Sequence, residues 1–149
     1  MADRRSMTSF FTNEAIPPRH EPMLYSFTMN GTQTPNSYYS MDGPSTVFVS
    51  GGFPDAGGGI LINPSVPGTF DKLYIGGPSP TSGAGETFTV YTGAGATTVT
   101  AHATAGATFC EDMTHSFHVN KGDLIALYYD ATSAAAWTGF SGSIRFTPD

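Results

Sequence analysis

Apolar and polar residues alternate with a period of two along most of the chain, which is the pattern of strands that bury one face. Met23, Tyr25, Phe27 and Met29 alternate with Ser26 and Thr28, and the turn dipeptide Asn30-Gly31 follows them. A short Tyr38-Tyr39 segment comes next, then residues 46–50, β-branched and aromatic between Gly43-Pro44 and Gly51-Gly52, and a brief apolar run at 60–62. Residues 71–75 alternate again. Residues 86–91 and 97–103 flank Gly93-Ala94-Gly95 and read as a β-hairpin, with Phe88, Val90, Val99 and Ala101 inward and Thr87, Thr89, Thr98 and Thr100 outward. His115, Phe117 and Val119 alternate with Ser116 and His118. Asn120-Lys121-Gly122-Asp123 then turns the chain into Leu124-Ile125-Ala126-Leu127-Tyr128-Tyr129, apolar at every position. Such a run fits a strand covered on both faces, one set of side chains filling the core and the other covered by a neighbour or by the chain's own N-terminal segment. Phe140, Gly142, Ile144 and Phe146 alternate in the last strand.

No segment has a convincing helical period and no repeat of fixed length is present. Eight or nine short strands predict an all-β fold, a jelly-roll-like antiparallel β-sandwich occupying residues 23–149 as a single domain. Strand order is not legible from the pattern. Residues 1–22 differ from the rest: Pro17-Pro18 and Pro22 favour extended backbone and oppose a helix running into the body. We expect an extended N-terminal arm there, gripping its own domain or a neighbour through Arg4, Arg5, Phe10, Phe11, Ile16 and Arg19.

Composition narrows the function. With 149 residues the chain can bury a core without staples, and its charged fraction of 12% is about half the usual level. The 18 glycines and 11 prolines suit many tight turns. A formal net charge of -6 with only six basic residues argues against nucleic acid as a partner, because phosphate binding requires clustered Lys and Arg. Cys110 is the only cysteine, so no intrachain disulfide can form, as expected for synthesis in a reducing cytoplasm. The first residues lack the apolar core of a secretory signal, and no run approaches the ~20 apolar residues that span a bilayer, so no membrane association is expected.

Candidate chemistry is sparse. Glu111-Asp112-x-x-His115-x-x-His118 raises the question of a metal, but residues three apart on a strand face opposite ways unless a bulge intervenes, so a structural role for His115 is expected and no metal site. Cys110 has no helix N-terminus or basic neighbour to activate it, and adjacent carboxylates oppose thiolate formation, so a small buried hydrophobe is expected. Gly57-Gly58-Gly59 lacks the following helix and Lys that a phosphate-binding loop uses. No catalytic residue, no cofactor and no enzymatic activity are expected. Tyr38, Tyr39, Tyr74, Tyr91 and Trp137 exceed what one small core needs and suit sugar stacking or protein contact. Tyr128, Tyr129 and Trp137 are the expected subunit-interface residues.

The order of features from about residue 60 to 148 resembles a β-sandwich module of tailed-phage virion proteins, including capsid decoration (cement) proteins and head or tail fibres. The resemblance is carried by Val66-Pro67-Gly68-Thr69-Phe70-Asp71-Lys72-Leu73, by Phe88-Thr89-Val90-Tyr91, by Val119-Asn120-Lys121-Gly122-Asp123-Leu124 and by Ser143-Ile144-Arg145-Phe146-Thr147-Pro148. These motifs mark turns entering strands and cover about three fifths of the chain; the arm and Gly57-Gly58-Gly59 lie outside them. The resemblance implies a noncatalytic virion component on the outer capsid surface, commonly a homotrimer, whose partner is the major capsid protein. A receptor-binding or carbohydrate-binding module of a phage fibre is the alternative.

Overall fold

The computed structural model describes residues 21–33, 35–41, 43–45, 48–50, 53, 62–78, 85–131 and 138–149. The residues expected to form the arm's contacts, Arg4, Arg5, Phe10, Phe11, Ile16 and Arg19, lie outside the described residues, as do Trp137 and Gly57-Gly58-Gly59. The described strands are β1 (Met23–Thr32), β2 (Ser37–Tyr39), β3 (Gly43–Ser45), β4 (Phe48–Ser50), β5 (Gly68–Gly76), β6 (Glu86–Thr92), β7 (Gly95–Ala103), β8 (Phe109–Val119), β9 (Ile125–Ala131) and β10 (Thr138–Pro148). They form two five-stranded sheets in the orders β3-β1-β10-β5-β8 and β4-β2-β9-β6-β7, packed face to face. The all-β sandwich inferred from the alternation is therefore the observed architecture. Within the expected strand at 46–50 the described residues 48–50 form β4, and within 60–62 the described Ile62 bridges to Ile125.

Pairing is nested. β1 pairs with β10, β2 with β9, β5 with β8 and β6 with β7, all antiparallel, so among the described strands early partners enclose later ones. β3 adds to β1 in parallel and is the exception. The inward sets are those that the alternation selects. Phe27 and Met29 of β1, Phe70, Leu73 and Ile75 of β5, Phe88 and Val90 of β6, Val99 and Ala101 of β7, Ile125, Leu127 and Tyr129 of β9, and Phe140, Ile144 and Phe146 of β10 all lie in one core. Each such Leu, Ile or Phe contributes roughly 1.5–3 kcal/mol by leaving water. Aromatic rings dominate it: Phe70 lies against Phe146 at 4.7 Å and Phe117 at 5.5 Å, while Phe88 stacks on Tyr129 at 5.0 Å and meets Phe140 edge-on at 5.0 Å.

The turn before β9 forms as its residues dictate. Gly122 adopts φ +89°, the Asp123 amide donates to the Asn120 carbonyl at 3.2 Å, and the Asp123 carboxylate accepts from the Asn120 amide at 2.8 Å. Across β5 and β8 the register breaks between Asp71 and Leu73: Asp71 opposes Ser116 but Leu73 opposes Asp112, so Met113, Thr114 and His115 bulge opposite Lys72, which itself has φ +55°.

Candidate functional site

Tyr128 and Tyr129, paired by the sequence as interface residues, occupy opposite sides of β9. Tyr129 is 0% exposed and lies inside the sandwich, so it has no surface to offer a neighbour. Tyr128 is half-buried on the outer face. The reason is the two-residue period: Ile125, Leu127 and Tyr129 face the core, leaving Ala126, Tyr128 and Asp130 outside. Ala126 points outward yet is 0% exposed, so the chain itself covers this face there.

That outer face carries the densest grouping of polar aromatic side chains described. Tyr38 on β2 lies directly across from Tyr128, their rings 4.8 Å apart and inclined by 49°. Tyr91 on β6, opposite Ala126, sits 5.3 Å from both rings. Phe53 meets Tyr38 edge-on at 5.6 Å. Register brings the neighbouring row into line: Asp130 opposes Thr87, and Thr87 opposes His102. The Tyr128 hydroxyl donates to the Asn36 side-chain carbonyl at 3.4 Å, Thr87 Oγ1 and His102 Nδ1 share a hydrogen bond at 3.1 Å, and the Thr100 hydroxyl donates to that of Thr89 at 3.2 Å. Burial, then Tyr91 and the Tyr128 ring, push the Tyr38 phenol above its usual pKa; burial, then Asp130 and Tyr91, do the same to Tyr128. Both hydroxyls consequently remain donors across the physiological range.

The opposite outer face, on β3-β1-β10-β5-β8, is different. Leu24 is 65% exposed, and Tyr74 (40%) stacks on Phe109 (52%) with rings 6.1 Å apart. Between and beside them stand small hydroxyl side chains, Ser26, Thr28, Ser141 and Ser143, in paired positions of β1 and β10. The charges at its centre are neutralised: the Arg145 guanidinium grips the Asp71 carboxylate with two hydrogen bonds, Nε to Oδ1 at 2.7 Å and Nη2 to Oδ2, which raises the Arg145 pKa.

His115 and His118 do not converge. The bulge at 113–115 does intervene, but it turns His115 Nδ1 onto the Asp112 carboxylate at 3.0 Å, whereas His118 Nε2 meets Asp149 at 2.9 Å. Asp112 is the organiser. Its side chain is 4% exposed; one oxygen accepts from the Thr114 and His115 amides at 3.1 Å each, and the other accepts from the Thr100 amide of β7 at 2.9 Å. Burial alone would raise its pKa, but the Thr100, His115 and Thr114 amides and the His115 ring bring it down to about 2. Among the described residues no group of three or more His, Cys, Asp or Glu side chains is placed to hold a metal ion.

Glu86 is the group that sequence reasoning missed. It lies two residues before Phe88, in phase with the inward set, and that phase was the available signal. It is 1% exposed, neither carboxylate oxygen closes a hydrogen bond of good geometry with a described residue, and burial raises its pKa to about 7 although the nearby Tyr129 hydroxyl pulls it partly back. Cys110 is buried, and desolvation followed by the Glu86 charge pushes its thiol to about 12. The carboxylate acting on the thiol is therefore Glu86, across the core, rather than the adjacent Glu111 and Asp112. A thiol held so far from ionisation is a poor nucleophile.

No helix among the described residues is long and apolar enough to cross a membrane. Comparison of the chain with protein-family models and with curated proteins gives no match.

Proposed function

We propose that this chain is a structural virion protein, a capsid decoration (cement) protein that binds the outer surface of a capsid as a homotrimer and bridges major capsid subunits. The nested pairing of β1 with β10, β2 with β9, β5 with β8 and β6 with β7 supports a jelly-roll-like reading of the sandwich, an architecture used by viral capsid and lectin domains. The observation that carries the docking reading is the outer face of β3-β1-β10-β5-β8. Leu24, Tyr74 and Phe109 are exposed amid serines and threonines whose short side chains lose little entropy when covered, and its central charges are already paired. Three copies on one shell would bind cooperatively through effective concentration, so modest contacts per copy suffice. The arm, through Arg4, Arg5, Phe10, Phe11, Ile16 and Arg19, supplies a second contact that can add a strand to a neighbour.

Binding to emptied, undecorated capsids tests this. Wild type should saturate at a fixed copy number, and Tyr74→Ala with Phe109→Ala should weaken binding about tenfold or more while leaving thermal unfolding nearly unchanged, since both rings are exposed. Deletion of residues 1–19 should also weaken it. Capsid binding indifferent to both changes would overturn the reading. The outer tyrosines favour a second reading, a fibre receptor-binding module, which would bind cell-surface ligand and leave capsids untouched.

A further inference from the structure

We propose that the outer face of β4-β2-β9-β6-β7 is a binding site for neutral oligosaccharide, built on Tyr38, Tyr91 and Tyr128 as stacking rings and on Asn36, Thr87 and Asp130 as hydrogen-bonding groups. This rests on the second reading above and names its ligand class.

Three observations select a sugar. The first is ring placement: Tyr38, Tyr91 and Tyr128 lie within 4.8–5.3 Å of one another at mutual inclinations of 49° to 83°, forming a shaped wall rather than a flat apolar patch. Each ring is held by its neighbours before any ligand arrives, so little side-chain freedom remains to be lost on stacking. The second is what borders the rings. Register sets Asp130 and Thr87 one row along from Tyr128 and Thr89, and Asn36 is already within reach of the Tyr128 hydroxyl, so donors and acceptors line one side of the aromatic wall. A pyranose needs that combination, an apolar C–H face for a ring and hydroxyls at its rim for amide, hydroxyl and carboxylate partners. The third is charge. β2, β4, β6, β7 and β9 contain no Lys and no Arg, so these strands offer no guanidinium or ammonium to compensate a sulfate, sialate or phosphate, and Asp130 would repel them. An uncharged glycan is the complementary ligand. Tyrosines also anchor protein partners, so a second copy of the chain is the competing occupant, and self-association is read in the test below.

The test uses the full chain and soluble oligomers of glucose, of galactose and of N-acetylglucosamine, titrated by calorimetry and by chemical-shift mapping up to about 10 mM, the weak end of specific binding. At least one oligomer should bind, with shifts confined to residues of β2, β6 and β9. Tyr38→Ala or Tyr91→Ala should weaken that binding about tenfold or more, Tyr128→Phe should weaken it by a smaller factor because the ring stays and only the hydroxyl is lost, and Tyr74→Ala on the opposite face should leave it unchanged. Should the alanine variants unfold, the phenylalanine variant together with Asp130→Asn and Thr87→Val retains the discrimination, since these remove hydrogen-bonding groups and keep the rings. No binding by any oligomer, binding that survives loss of the rings and of the polar row, or preference for sulfated over neutral sugars would each overturn the proposal. Self-association that disappears in Tyr38→Ala without sugar binding would overturn it too and assign the face to a second copy of the chain. Capsid binding is read separately, so failure of the docking reading leaves this result interpretable.

Discussion

Glu86 and Asp112 are both buried carboxylates, and they respond to pH in opposite directions because desolvation outweighs the Tyr129 hydroxyl at Glu86, whereas three amides and the His115 ring outweigh it at Asp112. The folded-state pKa of Glu86 is about 7 against 4.5 for an exposed glutamate, so its protonated form suits the core. The contribution is complete below about 4.5, declines as the pH rises between the two values and is lost above about 7. Replacing it by Gln should flatten that decline and raise stability by about 1–3 kcal/mol at pH 8 relative to wild type, with little change at pH 5, as read from urea midpoints at each pH. For Asp112 the sign reverses: the pKa falls from 3.8 to about 2, so its contribution is present above 3.8 and disappears as the pH falls through about 2. Asp112→Asn, which replaces an acceptor-only carboxylate by a group with one acceptor oxygen and two donors, should cost about 1–3 kcal/mol at neutral pH in the same assay. Neither role was readable from composition. Glu86 follows the inward phase of its strand, but its burial depends on the opposite sheet, and Asp112 is buried because the bulge behind it breaks the phase.

Strands set by clean alternation were legible as elements; those with a phase break were not. β6, β7 and β10 bury the residues that alternation assigns to them. β8 hides its first half because Phe109 and Met113 are exposed while Asp112 is buried, the reverse of an apolar-in pattern. Those edges are sealed by side chains rather than by a further strand: Asp112 accepts from the Thr100 amide, and the Thr98 hydroxyl donates to the Ser116 carbonyl at 2.9 Å, stitching β7 to β8 across the two sheets. Within β10, Gly142 is required by close approach. A Cβ there would stand 2.4 Å from the Tyr74 carbonyl and 2.5 Å from the Phe27 ring. Gly142→Ala should therefore destabilise by about 2–3 kcal/mol, whereas Gly93→Ala, whose Cβ would meet nothing within 4 Å, should change the thermal midpoint little.

At the scale of the molecule, nesting places the two ends of the described chain side by side, Met23 opposite Phe146, with β10 between β1 and β5. Removing residues 138–149 leaves β1 paired only with β3 and β5 only with β8, splits that sheet in two and opens the core at Phe140, Ile144 and Phe146, so the truncated chain should show no cooperative unfolding transition by circular dichroism. Pairing first with last also requires long loops to close before contacts reward them, which places refolding of the intact chain in the millisecond-to-second range by stopped-flow fluorescence. The two outer faces are likewise products of the whole molecule. Tyr38, Tyr91 and Tyr128 come from three separate strands and form one surface only because β2, β9 and β6 are neighbours. By itself the sequence determined the all-β class, most inward-facing residues and the turn at 120–123, because a two-residue period and turn-forming residues act over a few positions. Tertiary structure decided which strands pair, that Tyr129 belongs to the core while Tyr128 lies outside, and that Glu86 and Asp112 are buried, because those outcomes depend on contacts between residues distant in the chain that no local pattern encodes.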